Sequence, residues 1–193
     1  MLPFAAFAVE APDTWAMCHG LLAEPGARLL AGGTDLLPSM KHRLFQPRVL
    51  VSTRRLPGLR EVTELPDGGL AVGAGLTLRE VARLAPVRAR YPALAAACST
   101  IATPTIQAMG TLGGNIMLDT RCVYYNQPEG WRASIGGCLK RDGSVCHVAP
   151  KGKGCYAAHS ADTIPALWLH GARVELSSAA GLRGVAVADP HRG

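Results

Sequence analysis

Four cysteines and two glycine pairs hold most of the chemical information in this sequence of 193 residues. Cys122, Cys138, Cys146 and Cys155 fall within one 34-residue stretch, separated by 15, 7 and 8 residues. Four thiolates can complete the shell of an iron–sulfur cubane or of a structural zinc ion. Structural zinc sites usually contain cysteine pairs about two to four residues apart, and this set has none. Both metals stay open on the residues alone, with iron–sulfur ahead. His147 adjoins Cys146 and offers an alternative ligand, whereas His159 reads as a packing or surface residue. Cys18 and Cys98 sit in the apolar runs TWAMCHGLL and ALAAACSTI, where a free thiol behaves as a small hydrophobe.

The glycine pairs suggest anion binding. The first lies in AGGTDLLP, Ala31 to Pro38, and the second in TLGGN, Thr111 to Asn115. Gly32 and Gly33 allow a turn that a Cβ would block, leaving backbone N–H groups free beside the start of a helix. Neither pair matches the GxGxxG or GxxxxGKS/T nucleotide fingerprints. Either alone could be a plain turn. Two in one small domain favour a pyrophosphate cradle.

Composition narrows the class. The chain is 48% hydrophobic and 5% aromatic, with 22 glycines and 14 prolines, which implies a packed core and short elements. No secretory signal precedes the cysteines, so clustered thiols point to metal rather than to disulfides. The formal net charge is +6, but the basic residues are scattered and not interleaved with aromatics, which argues against nucleic acid. No apolar run reaches the about 20 residues that span a bilayer, so no membrane association and a cytoplasmic location are expected. Residues 121–155 carry six cations, Arg121, Arg132, Lys140, Arg141, Lys151 and Lys153, against Glu129 and Asp142. That excess either compensates an anionic cluster or docks an acidic electron carrier.

The elements that must position these residues read as an α+β fold built of α/β units. Asp13 caps a helix through Ala23, and Pro25-Gly26 stops it. Arg28 to Ala31 is a buried strand that runs into the Gly32-Gly33 turn. Thr34-Asp35 caps a helix to His42, and Arg48 to Ser52 is a strand. Arg60 to Glu64 and Leu70 to Ala74 form a hairpin. Thr77 and Glu80 make a capping box for a helix to Leu84. Pro92 opens a helix to Ile101. Residues 117–159 lose all periodicity and read as an insertion held by something other than a core. Asp162 caps a helix to His170, followed by strands Ala172 to Ser177 and Leu182 to Ala188. One domain, residues 1–193, is expected.

The motifs AGGTDLLP, TLGGNI and SADTIPAL occur in an order that resembles the flavin-binding subunits of the xanthine oxidase family of molybdenum hydroxylases. The resemblance implies the FAD-binding domain found in molybdopterin dehydrogenase flavin subunits. It makes Leu29, Leu30, Ala31, Gly32, Gly33, Thr34, Asp35 and Leu36 the first FAD loop. Thr111, Leu112, Gly113, Gly114 and Asn115 become the second, with Ile101 near the flavin. Asp162 would contact the adenosine end, or be an ordinary helix cap. Partners implied are a molybdopterin-containing large subunit and a 2Fe-2S small subunit. The family continues into a C-terminal domain, expected here to be truncated or absent.

The cysteine segment is similar to that of 4-hydroxybenzoyl-CoA reductase β subunits, through RCVYYNQ, CLKRDGSVCH and KGKGCYAAHSADT. This implies a 4Fe-4S cluster on Cys122, Cys138, Cys146 and Cys155. Electrons from a ferredoxin-like donor would pass through the cluster and FAD to the partner subunits. Dehydroxylation would occur on the molybdenum subunit, so no catalytic residue is expected in this chain. Two alternatives remain: the flavin subunit of an oxidative molybdenum hydroxylase, and a zinc-stabilised binding module.

Overall fold

Two helical crossovers build a small parallel sheet. Strands β1 (Ala8–Glu10), β2 (Ala27–Leu30) and β3 (Val49–Ser52) run parallel in the order β1-β3-β2. Helices α1 (Trp15–Leu22) and α2 (Leu36–Lys41) connect them. The central strand β3 buries Leu50 and Val51 completely, and Cys18 of α1 packs in the cluster with Val51 and Leu56. The computed structural model describes residues 2–187, so Ala188 and the C-terminal tail lie outside the described residues.

Thr14, not Asp13, caps α1. Its extended backbone places the hydroxyl 3.3 Å from the Met17 N–H. The hairpin β4 (Val62–Glu64) and β5 (Leu70–Val72) follows as expected, with shorter strands. The capping box of α3 (Leu78–Arg83) forms in full. Glu80 N–H donates to Thr77 Oγ1 at 3.2 Å and Thr77 N–H to Glu80 Oε2 at 2.8 Å. That Thr77 amide, helped by the Arg60 guanidinium, holds the Glu80 carboxyl below its usual range despite some burial.

Helices α4 (Ala85–Arg90) and α6 (Pro104–Met109) were not expected from the sequence, although both carry proline in the first turn. They flank α5 (Pro92–Thr100). Leu78, Val81, Val87, Leu94, Cys98 and Leu112 form the main core between these helices. The chain continues through α7 (Leu112–Ile116), α8 (Glu129–Ser134) and α9 (Ile164–Leu169). It closes the described region with the antiparallel hairpin β6 (Arg173–Ser178) and β7 (Gly181–Ala186).

The 117–159 segment is not wholly irregular, because α8 lies within it. Its neck is closed by paired bonds, Arg121 N–H to Ala158 O at 2.6 Å and Ala158 N–H to Arg121 O at 2.9 Å. Leu44, Tyr125 and Cys138 form a separate small core that seats the segment on the chain just after α2. Among the described residues, no helix is long and apolar enough to cross a membrane.

Candidate functional site

The first glycine motif is packed on Met109 and Gly110, which lead directly into the second. A Cβ on Gly32 would stand 1.9 Å from the Met109 carbonyl oxygen, so only glycine allows this approach. A Cβ on Gly110 would stand 3.3 Å from Thr34 Oγ1. Gly33 has φ +73, the left-handed conformation glycine adopts without strain. Among the described residues, the N–H groups of Gly32, Gly33, Thr34 and Asp35 donate to no protein acceptor. Four consecutive free donors suit the oxygens of a phosphate or pyrophosphate. Leu29 and Ala31 are exposed, and Leu30 and Leu36 are half-buried.

The second motif is not an open turn. It forms α7, and its amides are already used: Leu112 N–H by Leu76 O at 2.8 Å, Gly113 N–H by Ala74 O at 2.9 Å, Gly114 N–H by the Thr111 hydroxyl at 3.1 Å and Asn115 N–H by Thr111 O at 2.9 Å. Gly113 serves close packing, since a Cβ there would stand 2.8 Å from that of Ala74. Leu112 points into the core, and Ile101 is buried beside it in the same cluster.

The third motif reaches the second through one side chain. Asn115 Oδ1 accepts from the Thr163 hydroxyl at 2.6 Å and from the Thr163 N–H at 3.2 Å. Thr163 is fully buried, while Asp162 beside it is exposed. Asp162 does not cap α9, which starts at Ile164. Its neighbour Thr163 holds the cap position, with its hydroxyl turned to Asn115.

The cysteines divide as their settings suggest. Cys18 and Cys98 are buried, and burial pushes the Cys98 thiol up to about 12. Cys138 lies in the small core with Leu44 and Tyr125, and Cys122 packs against that cluster. Cys146 is buried, and its thiol is lowered by backbone N–H groups of Ala149, Tyr156 and Val148, against the effect of burial. Cys155 is exposed, its Sγ accepting from Ala157 N–H at 3.4 Å. The expected four-thiol ligand set is nevertheless not assembled. Among the described residues, no group of three or more Cys, His, Asp or Glu is placed to hold a metal ion. The neighbouring His147 Nε2 lies 2.7 Å from Gly137 O, so that nitrogen is a donor and not a free ligand.

The basic segment does not present six cations to solvent. Arg121 pairs with Asp35, Lys140 with Asp119 at 2.7 Å, and Arg141 with Asp142 at 2.9 Å. Arg132 is buried against backbone carbonyls. Lys151 and Lys153 stay exposed, neither in an ion pair among the described residues. The long-range roles of Arg121 and Arg132 carry no local sequence signal, because Asp35 and His42 lie 86 and 90 positions away, although Arg132 also donates to the nearby Gln127 O.

Comparison with known proteins places the domain in a family. The model of the FAD binding domain in molybdopterin dehydrogenase matches residues 5–193. The chain belongs to this family. The FAD-binding domain is 33% identical over 171 residues to the aldehyde oxidoreductase FAD-binding subunit PaoB of Escherichia coli (strain K12), covering 86% of this chain and 54% of that one. It is 40% identical over 113 residues to the carbon monoxide dehydrogenase medium chain of Hydrogenophaga pseudoflava, covering 57% and 39%. Quinoline 2-oxidoreductase from Pseudomonas putida 86 matches in structure with a TM-score of 0.73 at 25% identity, covering all of this chain and 54% of that one. The FAD-binding domain therefore spans between 39% and 54% of the length of these relatives.

Proposed function

We propose that this chain is the FAD-holding, electron-transfer part of a molybdenum hydroxylase flavin subunit, working with a molybdopterin-containing large subunit and a 2Fe-2S small subunit. The observation that carries the site is the run of free N–H groups from Gly32 to Asp35, packed against Met109 and Gly110. These amides would hold the FAD pyrophosphate, and Leu29 to Leu36 with Thr111 to Asn115 would form the walls of the site. Asp162, exposed beside the Asn115–Thr163 contact, would face the adenosine end, and Ile101 would support the flavin from the core. Bound FAD supplies reversible electron transfer; this chain orients it and contributes no catalytic side chain. Fluorescence titration of the flavin-free chain with FAD tests the reading: Gly33→Val should abolish binding, and normal binding would reject it.

The finer reading is a subunit resembling that of 4-hydroxybenzoyl-CoA reductase. Residues 1–193 would be one FAD-binding domain, with 117–159 as an insertion carrying a 4Fe-4S cluster that would receive electrons from a ferredoxin-like donor. The observations favouring it are the Arg121–Ala158 neck, which closes the segment into one loop, and the packing of Cys122 and Cys138 in the same small core. Cys122, Cys138, Cys146 and Cys155 would be the ligands. The relatives are named for aldehyde oxidoreductase and carbon monoxide dehydrogenase, and an oxidative hydroxylase subunit is the competing assignment. Iron and sulfide analysis after anaerobic purification decides the metal. About four irons per chain would uphold the cluster, and zinc alone or no metal would reject it.

A further inference from the structure

We propose that arginines of the 117–159 segment clamp α2 at both ends and thereby position the FAD turn, so that FAD binding and order in this segment strengthen each other. This inference rests on the reading that residues 29–36 hold FAD.

The turn and α2 form one hydrogen-bonded unit: Leu37 N–H donates to Gly33 O and Ser39 N–H to Asp35 O, each at 3.1 Å. A six-residue helix has little stability of its own and depends on what holds its ends. At the first end, the Arg121 guanidinium pairs with the Asp35 carboxylate. At the other end, Arg132 donates to His42 O at 2.9 Å and to Arg43 O at 3.2 Å. Arg141 donates to Leu44 O at 3.2 Å. His42 is the C-cap of α2 and Arg43 and Leu44 follow it directly, so these cations sit at the negative end of the helix. Arg43 itself sits at φ 57, a conformation costly to a residue with a side chain, so the contact also restrains a strained exit.

Arg132 is 3% exposed, and its Nε has no acceptor. A buried guanidinium stays charged, so its carbonyl contacts are what keep it satisfied. The length of α2 separates it from the turn by about 9 Å at the usual helical rise. Arg132 therefore acts on the FAD turn through α2, as a positioning residue. Coupling between two binding or ordering events is reciprocal: what the segment adds to FAD affinity, FAD returns as protection of the segment.

The test uses the full chain, titrated with FAD and digested with chymotrypsin, which has target residues Tyr124, Tyr125, Trp131 and Tyr156 in the segment. In the unaltered protein, saturating FAD should slow cleavage within 121–158. Arg132→Met should weaken FAD binding about tenfold, the usual effect of losing a hydrogen-bonded charge. It should also abolish FAD-dependent protection, and alter the visible circular dichroism of the bound flavin. Arg132→Lys should recover part of each. Arg121→Met, at a half-exposed pair, gives the same test should Arg132→Met fail to fold. FAD affinity within about twofold of the original in either folded variant would overturn the clamp. Gly33→Val separates the two claims. Loss of FAD binding there with unchanged affinity in the arginine variants refutes the clamp alone, and normal FAD binding in Gly33→Val refutes the underlying site.

Discussion

The Asn115 carboxamide oxygen accepts two hydrogen bonds from Thr163, one from its hydroxyl and one from its backbone amide, across 48 positions of sequence. Thr163 is completely buried, and Asn115 ends the turn that Thr111 caps. The pair joins α7 to the start of α9 and brings Asp162 to the same side as the second glycine motif. Asn115→Leu should cost about 1–3 kcal/mol, because it leaves a buried hydroxyl without its acceptor. Thr163→Val should cost less, since it removes the hydroxyl together with its need. Thermal or denaturant unfolding of both variants checks the order, and equal stability in Asn115→Leu and the original protein would contradict it.

The glycines of the site should not respond alike. Gly32→Ala must displace the Met109 carbonyl, and Gly113→Ala must displace Ala74. At Gly114, the nearest obstacle to a Cβ is the Thr111 hydroxyl, and the position is exposed. Gly32→Ala should therefore lose FAD and stability together, whereas Gly114→Ala should retain the fold and weaken FAD only modestly. Flavin stoichiometry and melting temperature, measured on the same samples, distinguish the two.

Thiol reactivity should follow burial and charge stabilisation. In metal-free protein at neutral pH, iodoacetamide should modify exposed Cys155 first. Cys98 should resist until the chain unfolds, because burial pushes its thiol to about 12. Cys18 should resist likewise, as a thiol raised by burial. Peptide mass mapping during a time course reads the order directly. Early labelling of Cys98 would contradict its place in the core.

Acid should release the 117–159 segment. Burial raises the Asp119 carboxyl, but the Lys140 hydrogen bond and charge, the Tyr125 hydroxyl and the Thr120 amide outweigh it and hold it below its ordinary value. A carboxyl depressed in the folded state stabilises above its unfolded pKa and loses that contribution as pH falls through the folded one. Proteolytic sensitivity of the segment should thus rise as pH falls below about 4. Asp119→Asn should remove that dependence, and an unchanged pH profile would refute the assignment.

Docking of the proposed acidic carrier would depend on Lys151 and Lys153, since the other four cations of the segment are engaged within the chain. Lys151→Glu with Lys153→Glu should slow reduction by a ferredoxin and flatten its dependence on ionic strength. Exposed charges are screened over about 8 Å at about 0.15 M salt. Stopped-flow reduction across a salt series measures both effects, and unchanged kinetics would leave charge compensation as the explanation.

Local rules made much of the chain legible. Thr77 and Glu80 form the expected capping box, Pro92 opens its helix, and the Gly32-Gly33 turn follows its strand, because each depends on residues within a few positions. Apolar context alone placed Cys18 and Cys98 in the core. The order of AGGTDLLP, TLGGNI and SADTIPAL, also local text, was enough to indicate the family. Tertiary structure decided what those motifs do to one another. TLGGN contains two glycines, yet its Leu112 and Gly113 amides are taken by Leu76 and Ala74, which approach only in the folded chain. The six cations of the segment look alike in sequence, but long-range partners bury Arg132 and pair Arg121 with Asp35. Charge, capping and hydrophobic periodicity are properties of neighbours along the chain. Which amides stay open for a phosphate depends on which distant carbonyls pack against them, and that is set only when the chain has folded.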